Sequence, residues 1–284
     1  MKCQTIMGIM EKLAPKKLAE NWDNPGLQLG SPEQEISKIL VCLDVSQPVV
    51  DKAIEIGADM IISHHPVMLF KGLLSIRTDT YDGGMLQKIL THNIAVYSAH
   101  TNLDIAQGGC NDILAQLWNL EKVEGLALTD PETEDSLGRI GYLSKPMSIE
   151  AFSQMLCDTL KCHHVRLVKG GRDMVKKVAL CSGAGAEFIS RAVFKGADVY
   201  VTGDIKYHEA QQAVKQGINL IDAGHFATEF PMVEAVAKYL RQELASMKQG
   251  AAVEVCEDNI SEDFFKVVGG KKADYDKTGN HGAI

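Results

Sequence analysis

The run Lys38-Ile39-Leu40-Val41-Cys42, followed after an amphipathic stretch by Gly57-Ala58-Asp59-Met60-Ile61, recurs as Lys177-Val178-Ala179-Leu180-Cys181 and Gly196-Ala197-Asp198-Val199-Tyr200. Both pairs are separated by 139 positions (177 − 38 and 196 − 57). In each copy an apolar strand precedes a helical segment (Val49 to Ile56; Glu187 to Phe194), and a second apolar strand follows, the βαβ pattern of a parallel sheet. Two blocks repeated in one order at one spacing predict an internal duplication. The expected fold is therefore α/β, with two related lobes, sheets flanked by helices and a cleft between them. Residues 1–125 are assigned to the first lobe and 126–268 to the second. Residues 269–284 are polar and rich in Gly, Lys and Asp, and read as a flexible tail.

The strand ends carry the chemistry. Met60-Ile61-Ile62-Ser63-His64-His65-Pro66 ends an apolar run on two adjacent histidines. Neutral imidazoles on a rigid element suit Zn, Fe, Ni or Mn, although the pair alone also fits a turn with two surface histidines. Asn93-Ile94-Ala95-Val96-Tyr97-Ser98-Ala99-His100-Thr101-Asn102-Leu103-Asp104 is a strand followed by His-x-x-x-Asp. Gly217-Ile218-Asn219-Leu220-Ile221-Asp222-Ala223-Gly224-His225-Phe226-Ala227-Thr228-Glu229 is a strand followed by His-x-x-x-Glu. In a helix that spacing puts the imidazole and the carboxylate on one face. Ligands of open α/β sheets gather at the carboxyl ends of strands, which is where all these residues fall.

The duplication also locates a difference between the copies. Ser63-His64-His65 aligns with Thr202-Gly203-Asp204, so only the first half has paired histidines at that strand end. Asp44, and Asp204 with His208 and Glu209, are candidates to line the same cleft, orienting ligands or moving protons. Asn24, before Pro25-Gly26, reads as a turn residue. Cys162-His163-His164 follows a helical stretch with no acid at useful spacing and reads as structural. Ser182-Gly183-Ala184-Gly185-Ala186, between strand and helix, is a weak candidate for anion contact.

Composition narrows the function classes. A chain of 284 residues, 45% hydrophobic, can bury a large core. No run of eighteen apolar residues occurs, and Met1-Lys2-Cys3-Gln4-Thr5-Ile6 lacks the pattern of a signal peptide, so a cytoplasmic location without a membrane partner is expected. Seven cysteines, none in a Cys-x-x-Cys pair, argue against a disulfide framework or a thiolate zinc site. Cys42 and Cys181 read as packing residues in strands. A net charge of −8 argues against nucleic acid as a general partner; Lys169 to Lys177, the densest basic stretch, reads as a solvated loop.

Six ordered motifs then coincide: Asn21-Trp22-Asp23-Asn24-Pro25-Gly26-Leu27-Gln28-Leu29-Gly30, Ser63-His64-His65-Pro66, Ser98 to Asp104, Gly138-Arg139-Ile140-Gly141-Tyr142-Leu143, Thr202-Gly203-Asp204, and Gly224 to Glu229. From about Asn21 to Val268 the chain resembles the GTP cyclohydrolase 1 type 2 family, the Nif-three-like dinuclear metal proteins. The resemblance implies that His64, His65, Asp104, His225 and Glu229 bind two divalent ions of Zn, Fe, Mn or Ni. Glu229 would bridge them, His65 and Asp104 completing one site and His64 and His225 the other. His100 also matches a motif position, either as a proton-transfer group beside the metals or as a buried histidine holding a strand end. Longer relatives carry an inserted ferredoxin-like domain; here about Leu120 to Lys145 alone separates the halves, so the short form is implied. The family's hexameric ring implies a toroidal homohexamer.

Five donors that leave coordination positions for water favour a metal-dependent hydrolase of a small nucleotide-like or phosphorylated substrate. Metal pairs about 3.5–4 Å apart acidify water to a pKa of roughly 7. The contrasting reading is a noncatalytic ring, a scaffold for protein or DNA partners or a metal-handling protein.

Overall fold

A computed structural model describes residues 1–67, 75–130, 132–133, 135–248 and 250–268, with the backbone alone at Ala251. The tail expected at 269–284 lies outside the described residues. The first half runs α1 (Cys3–Leu13), β1 (Gly26–Leu29), β2 (Lys38–Cys42), α2 (Gln47–Ile56), β3 (Met60–Ser63), α3 (Tyr81–Thr91), β4 (Ala95–Ser98), α4 (Thr101–Ile105) and α5 (Cys110–Leu117). A hairpin, β5 (Glu121–Leu128) and β6 (Ser136–Ser148), leads into α6 (Ile149–Leu160), β7 (Arg166–Val168), β8 (Met174–Ala184), α7 (Ile189–Phe194), β9 (Val199–Gly203), α8 (Tyr207–Gln216), β10 (Asn219–Asp222) and α9 (His225–Glu229). The chain ends with α10 (Met232–Ala245) and β11 (Glu254–Glu257).

Two sheets result, ordered β1-β4-β3-β2-β11 and β5-β6-β8-β9-β10-β7. The duplication holds down to register. Ile39 faces Met60 and Val41 faces Ile62 in the first sheet; Val178 faces Val199 and Leu180 faces Val201 in the second, each 139 positions on. Each copy also has an antiparallel edge strand, β1 on β4 and β7 on β10. Asp59 accepts from the backbone N–H groups of Ser37 and Lys38, and Asp198 from those of Lys176 and Lys177, so one aspartate ties each β2-type strand to the turn before its neighbour. Gly57 and Gly196, at φ 67° and 73°, end the two equivalent helices in the left-handed conformation that glycine adopts without a Cβ penalty.

Alternation along the strands sends neighbouring residues to opposite faces. Ile39 and Val41 join the core under α1 and α10, whereas Leu40 and Cys42 face α2 and α3. In the second sheet Val178 and Leu180 pack with Phe152 and Leu156 of α6, and Ala179 and Cys181 pack with Ile189 and Ala213 of α7 and α8. The expected packing roles of Cys42 and Cys181 agree with their burial. No helix among the described residues is long and apolar enough to cross a membrane.

The linear division into 1–125 and 126–268 needs correction. After α9 the chain returns to the first lobe: β11 pairs parallel with β2, and Met232, Val233, Val236, Ala237, Leu240 and Leu244 of α10 are buried in the first-lobe core. The physical reason is the apolar face of the first sheet, which α1 alone does not cover. At the other boundary β5 already belongs to the second sheet.

Candidate metal centre

The site forms where strand ends of both lobes meet. At the end of β3 the backbone N–H groups of His64 and His65 both donate to the Leu43 carbonyl, at 3.2 and 3.0 Å, and Ser63 Oγ donates to the His65 carbonyl at 2.9 Å. These bonds fix the turn so that both imidazoles reach the same centre, their ring centroids 5.1 Å apart, His64 on its buried side and His65 on its partly open side. In α9, His225 and Glu229 lie one turn apart, and His225 Nε2 stands 3.0 Å from Glu229 Oε2, as the His-x-x-x-Glu spacing requires. Asp104 lies in α4, buried, its carboxylate accepting from Ser182 Oγ at 3.1 Å.

The three imidazoles share a design. His64 Nδ1 donates to the Ala99 carbonyl at 2.8 Å, His65 Nδ1 to Asp44 Oδ1 at 2.7 Å and His225 Nδ1 to Asp204 Oδ2 at 2.7 Å. All three partners are acceptors, so the ring proton is placed on Nδ1 and Nε2 is turned to the centre. His64 Nε2 lies 3.7 Å from both Asp104 Oδ1 and Glu229 Oε1, and His65 Nε2 lies 3.0 Å from Glu229 Oε2. Among the described residues, His64 Nε2 and Glu229 Oε2 are buried polar atoms with no hydrogen bond of acceptable geometry. Buried lone pairs facing one another are costly, and a cation or added protons between them remove that cost.

The titration behaviour carries the same message. Burial pulls the His65 imidazole down, but the hydrogen bond to Asp44 and the nearby Glu229 carboxylate outweigh it and raise its pKa to about 10. Burial likewise opposes, and Glu229 and Asp204 overcome it, raising His225 to about 9. Burial would raise Glu229, yet the charge on His64 and contacts with His225 and His65 hold it well below the ordinary carboxylate value. Asp104 is raised, chiefly by burial. Without metal, protons therefore gather on the imidazoles, where a cation would replace them.

The residues fit a metal. Nitrogen and oxygen donors of His65, His225 and Glu229 lie within 4.8 Å of one another, as do those of His64, His65 and His100. The expected five donors, His64, His65, Asp104, His225 and Glu229, thus come together. The distances regroup them, however: His64 stands with Asp104 and His65 with His225, Glu229 touching both sides, whereas the resemblance paired His65 with Asp104 and His64 with His225.

His100 faces the centre, its ring 5.2 Å from that of His64 and 5.5 Å from that of His65. Its Nδ1 bonds Asp23 Oδ1 at 2.9 Å, and Asp23 also accepts from the Thr101 N–H at 3.0 Å. Against the opposing effect of burial, the bonds from His100 and Thr101 lower Asp23 to about 2. Asp44 and Asp204 orient histidines, as expected. Glu209 does not line the cleft; it accepts from the Lys206 N–H at the start of α8, and His208 is exposed against Tyr207. Asn24 sits in the turn into β1, its N–H bonded to Asp23.

Three residues in stretches already quoted contribute in ways the sequence did not reveal. Asp23 and Ser182 act across 77 and 78 positions, on His100 and Asp104 respectively. Arg139 of β6, buried, reaches Asp112 of α5 at 2.6 Å and the carbonyls of Ile105 and Ala106 at 3.1 and 3.2 Å, pinning the end of α4 to the second lobe. Gly183, in the stretch read as a weak candidate for anion contact, packs on Glu229: a Cβ there would overlap Glu229 Oε1 and lie 3.3 Å from His225 Nε2.

The family model described as Duf34/NIF3 (NGG1p interacting factor 3) matches residues 1–262. The chain belongs to the Duf34/NIF3 family. Among its NIF3 relatives is a Clostridium perfringens protein named GTP cyclohydrolase 1 type 2 homolog, 35% identical over 246 residues, 87% of this chain and 94% of the relative. A Bacillus cereus protein related to NIF3 has a similar structure, with TM-score 0.88, 29% identity and coverage of 94% of this chain and 99% of that one. Reduced HcgD from Methanocaldococcus jannaschii superposes with TM-score 0.75 at 31% identity, over 90% of this chain and 97% of its own. The NIF3 assignment agrees with the family resemblance read from the six motifs.

Proposed function

We propose that this NIF3 protein binds two divalent cations through His64, His65, Asp104, His225 and Glu229 and hydrolyses a small nucleotide-like or phosphorylated substrate. The observation that carries the reading is the convergence of three Nε2 atoms, each with Nδ1 already committed, on Glu229 and Asp104. Bound there, a pair of divalent cations supplies Lewis acidity and acidifies water at neutral pH. The protein's residues do the rest. Asp44, Asp204 and the Ala99 carbonyl lock the imidazole orientations. His100, backed by Asp23, is placed to move a proton at Nε2, the tie between Asp23 and Nδ1 fixing the tautomer. Trp22, 52% exposed, meets His100 edge-on with ring centroids 5.8 Å apart, so an indole lies beside the centre for a flat ring to rest on. That favours a substrate carrying a heteroaromatic base, in line with the cyclohydrolase name of the relatives. A homohexamer is part of the same proposal, by family membership.

The test is metal analysis of protein purified without added ions, followed by assay with Zn, Mn or Fe against nucleotides, phosphoesters and cyclic amides. Two equivalents of metal and turnover that disappears in folded His64→Ala and Glu229→Ala proteins are expected. Metal binding without turnover of any member of the panel would turn the reading toward metal handling or scaffolding.

A further inference from the structure

Cys110 is the first residue of α5, buried, and stands beside the metal acids. Ligand atoms of His64, Asp104 and Cys110 lie within 4.8 Å of one another, and among the described residues no other cysteine belongs to such a group. A feature outside the cysteine points to a cation at this place. His64 Nε2 is completely buried and has no hydrogen-bond partner, although its ring is held by the Ala99 carbonyl with Nε2 aimed at Asp104.

We propose that Cys110 is a thiolate ligand of the cation held by His64 and Asp104, making that half of the centre softer than the half formed by His65 and His225. The inference rests on the metal-binding reading above. On coordination the S–H bond breaks, its proton passes to water, and an Sγ–metal bond forms beside the Asp104 carboxylate. A nitrogen, an oxygen and a sulfur donor then face one ion, with Glu229 Oε1 3.7 Å from the same imidazole nitrogen. Such a set prefers thiophilic ions such as Zn, Co or Cd over Mn, whereas a site of imidazole and carboxylate alone discriminates less. The absence of Cys-x-x-Cys pairs argues against an all-thiolate framework and leaves room for a single sulfur in a mixed set.

Titration of metal-free full-length protein with Co2+ separates the outcomes. Wild-type protein is expected to show a near-ultraviolet thiolate-to-cobalt charge-transfer band together with visible ligand-field absorption. Cys110→Ser, nearly isosteric, and Cys110→Val, apolar and similar in shape, are expected to lose the first and keep the second. The preference for Cd2+ over Mn2+ in competition is expected to fall by at least roughly tenfold in both variants. Visible absorption in wild type without the charge-transfer band, or a band that persists in both variants, would overturn the role of Cys110 while leaving the five-donor centre intact. A wild-type protein that takes up no Co2+ would remove the centre itself, and this inference with it.

Discussion

Gly183 shows how a single missing methyl shapes the centre. It occupies the place in the second lobe that Asp44 holds in the first (44 + 139 = 183), at φ +60°, and its lack of a side chain makes room for the Glu229 carboxylate. Gly183→Ala adds left-handed strain of roughly 1–2 kcal/mol and displaces the acid; we expect a folded protein with clearly reduced metal content, read by elemental analysis beside a thermal melt. The imidazoles supply a second prediction. Because His65 and His225 are raised from 6.5 to about 10 and about 9, the folded metal-free protein binds more protons than the unfolded chain. Their contribution to stability is complete below about pH 6.5 and is lost as pH rises through 9 and 10. Denaturant titrations of metal-free protein should therefore weaken over that window, while metal-loaded protein, its cations standing in for the protons, should hold; equal slopes in both would contradict the arrangement. His64, His65, Asp104, His225 and Glu229 stood out as candidates because they close strands or sit one helical turn apart, patterns that local geometry imposes, while the family resemblance alone implied that these five, and not His100, bind metal. Asp23, Ser182 and Arg139 did not stand out, since nothing in the neighbouring residues announces a partner 27 to 78 positions away.

Among the elements, β6 does more than extend a sheet. Gly138, at φ +71°, has its missing Cβ direction 2.6 Å from the Leu180 carbonyl, and this tight approach aims Arg139 at α4 and α5. One guanidinium thus holds the helix that carries Asp104 and the helix that begins at Cys110. Arg139→Ala leaves several carbonyls without their partner and Asp112 with the Gly108 N–H; breaking a fully buried pair costs about 3–5 kcal/mol, and with Asp112 partly open the loss should fall below that range, read as a shift in the midpoint of chemical unfolding, with metal affinity falling in the same variant. The repeated strand-helix-strand unit was readable in full, down to Asp59 and Asp198, because both copies solve the same packing problem with the same residues. The destination of α10 was not readable. Its apolar stripe fits any exposed sheet face, and only the uncovered side of the first sheet decides which one it takes.

For the whole molecule, the returning α10 and β11 make the second lobe an insertion within the first. A fragment ending at residue 231 lacks the buried face of α10, including Val233, Val236 and Leu240. Each such side chain contributes on the order of 1.5–3 kcal/mol, so the fragment is expected to be insoluble or molten, with poor dispersion in an amide NMR spectrum, although it contains all five donors. A well-dispersed spectrum would show that the first lobe stands without its C-terminal cover. The same topology sets where force enters the centre. Among the described residues the backbone leaves the first lobe through α5, whose Leu114 and Ala115 lie in the second core, and returns through α9, whose Ala227 packs on the second core and Phe226 on the first. Glu229 ends the short helix that both cores grip, so any hinge motion that tilts one lobe against the other is delivered to the acid both groups of histidines share.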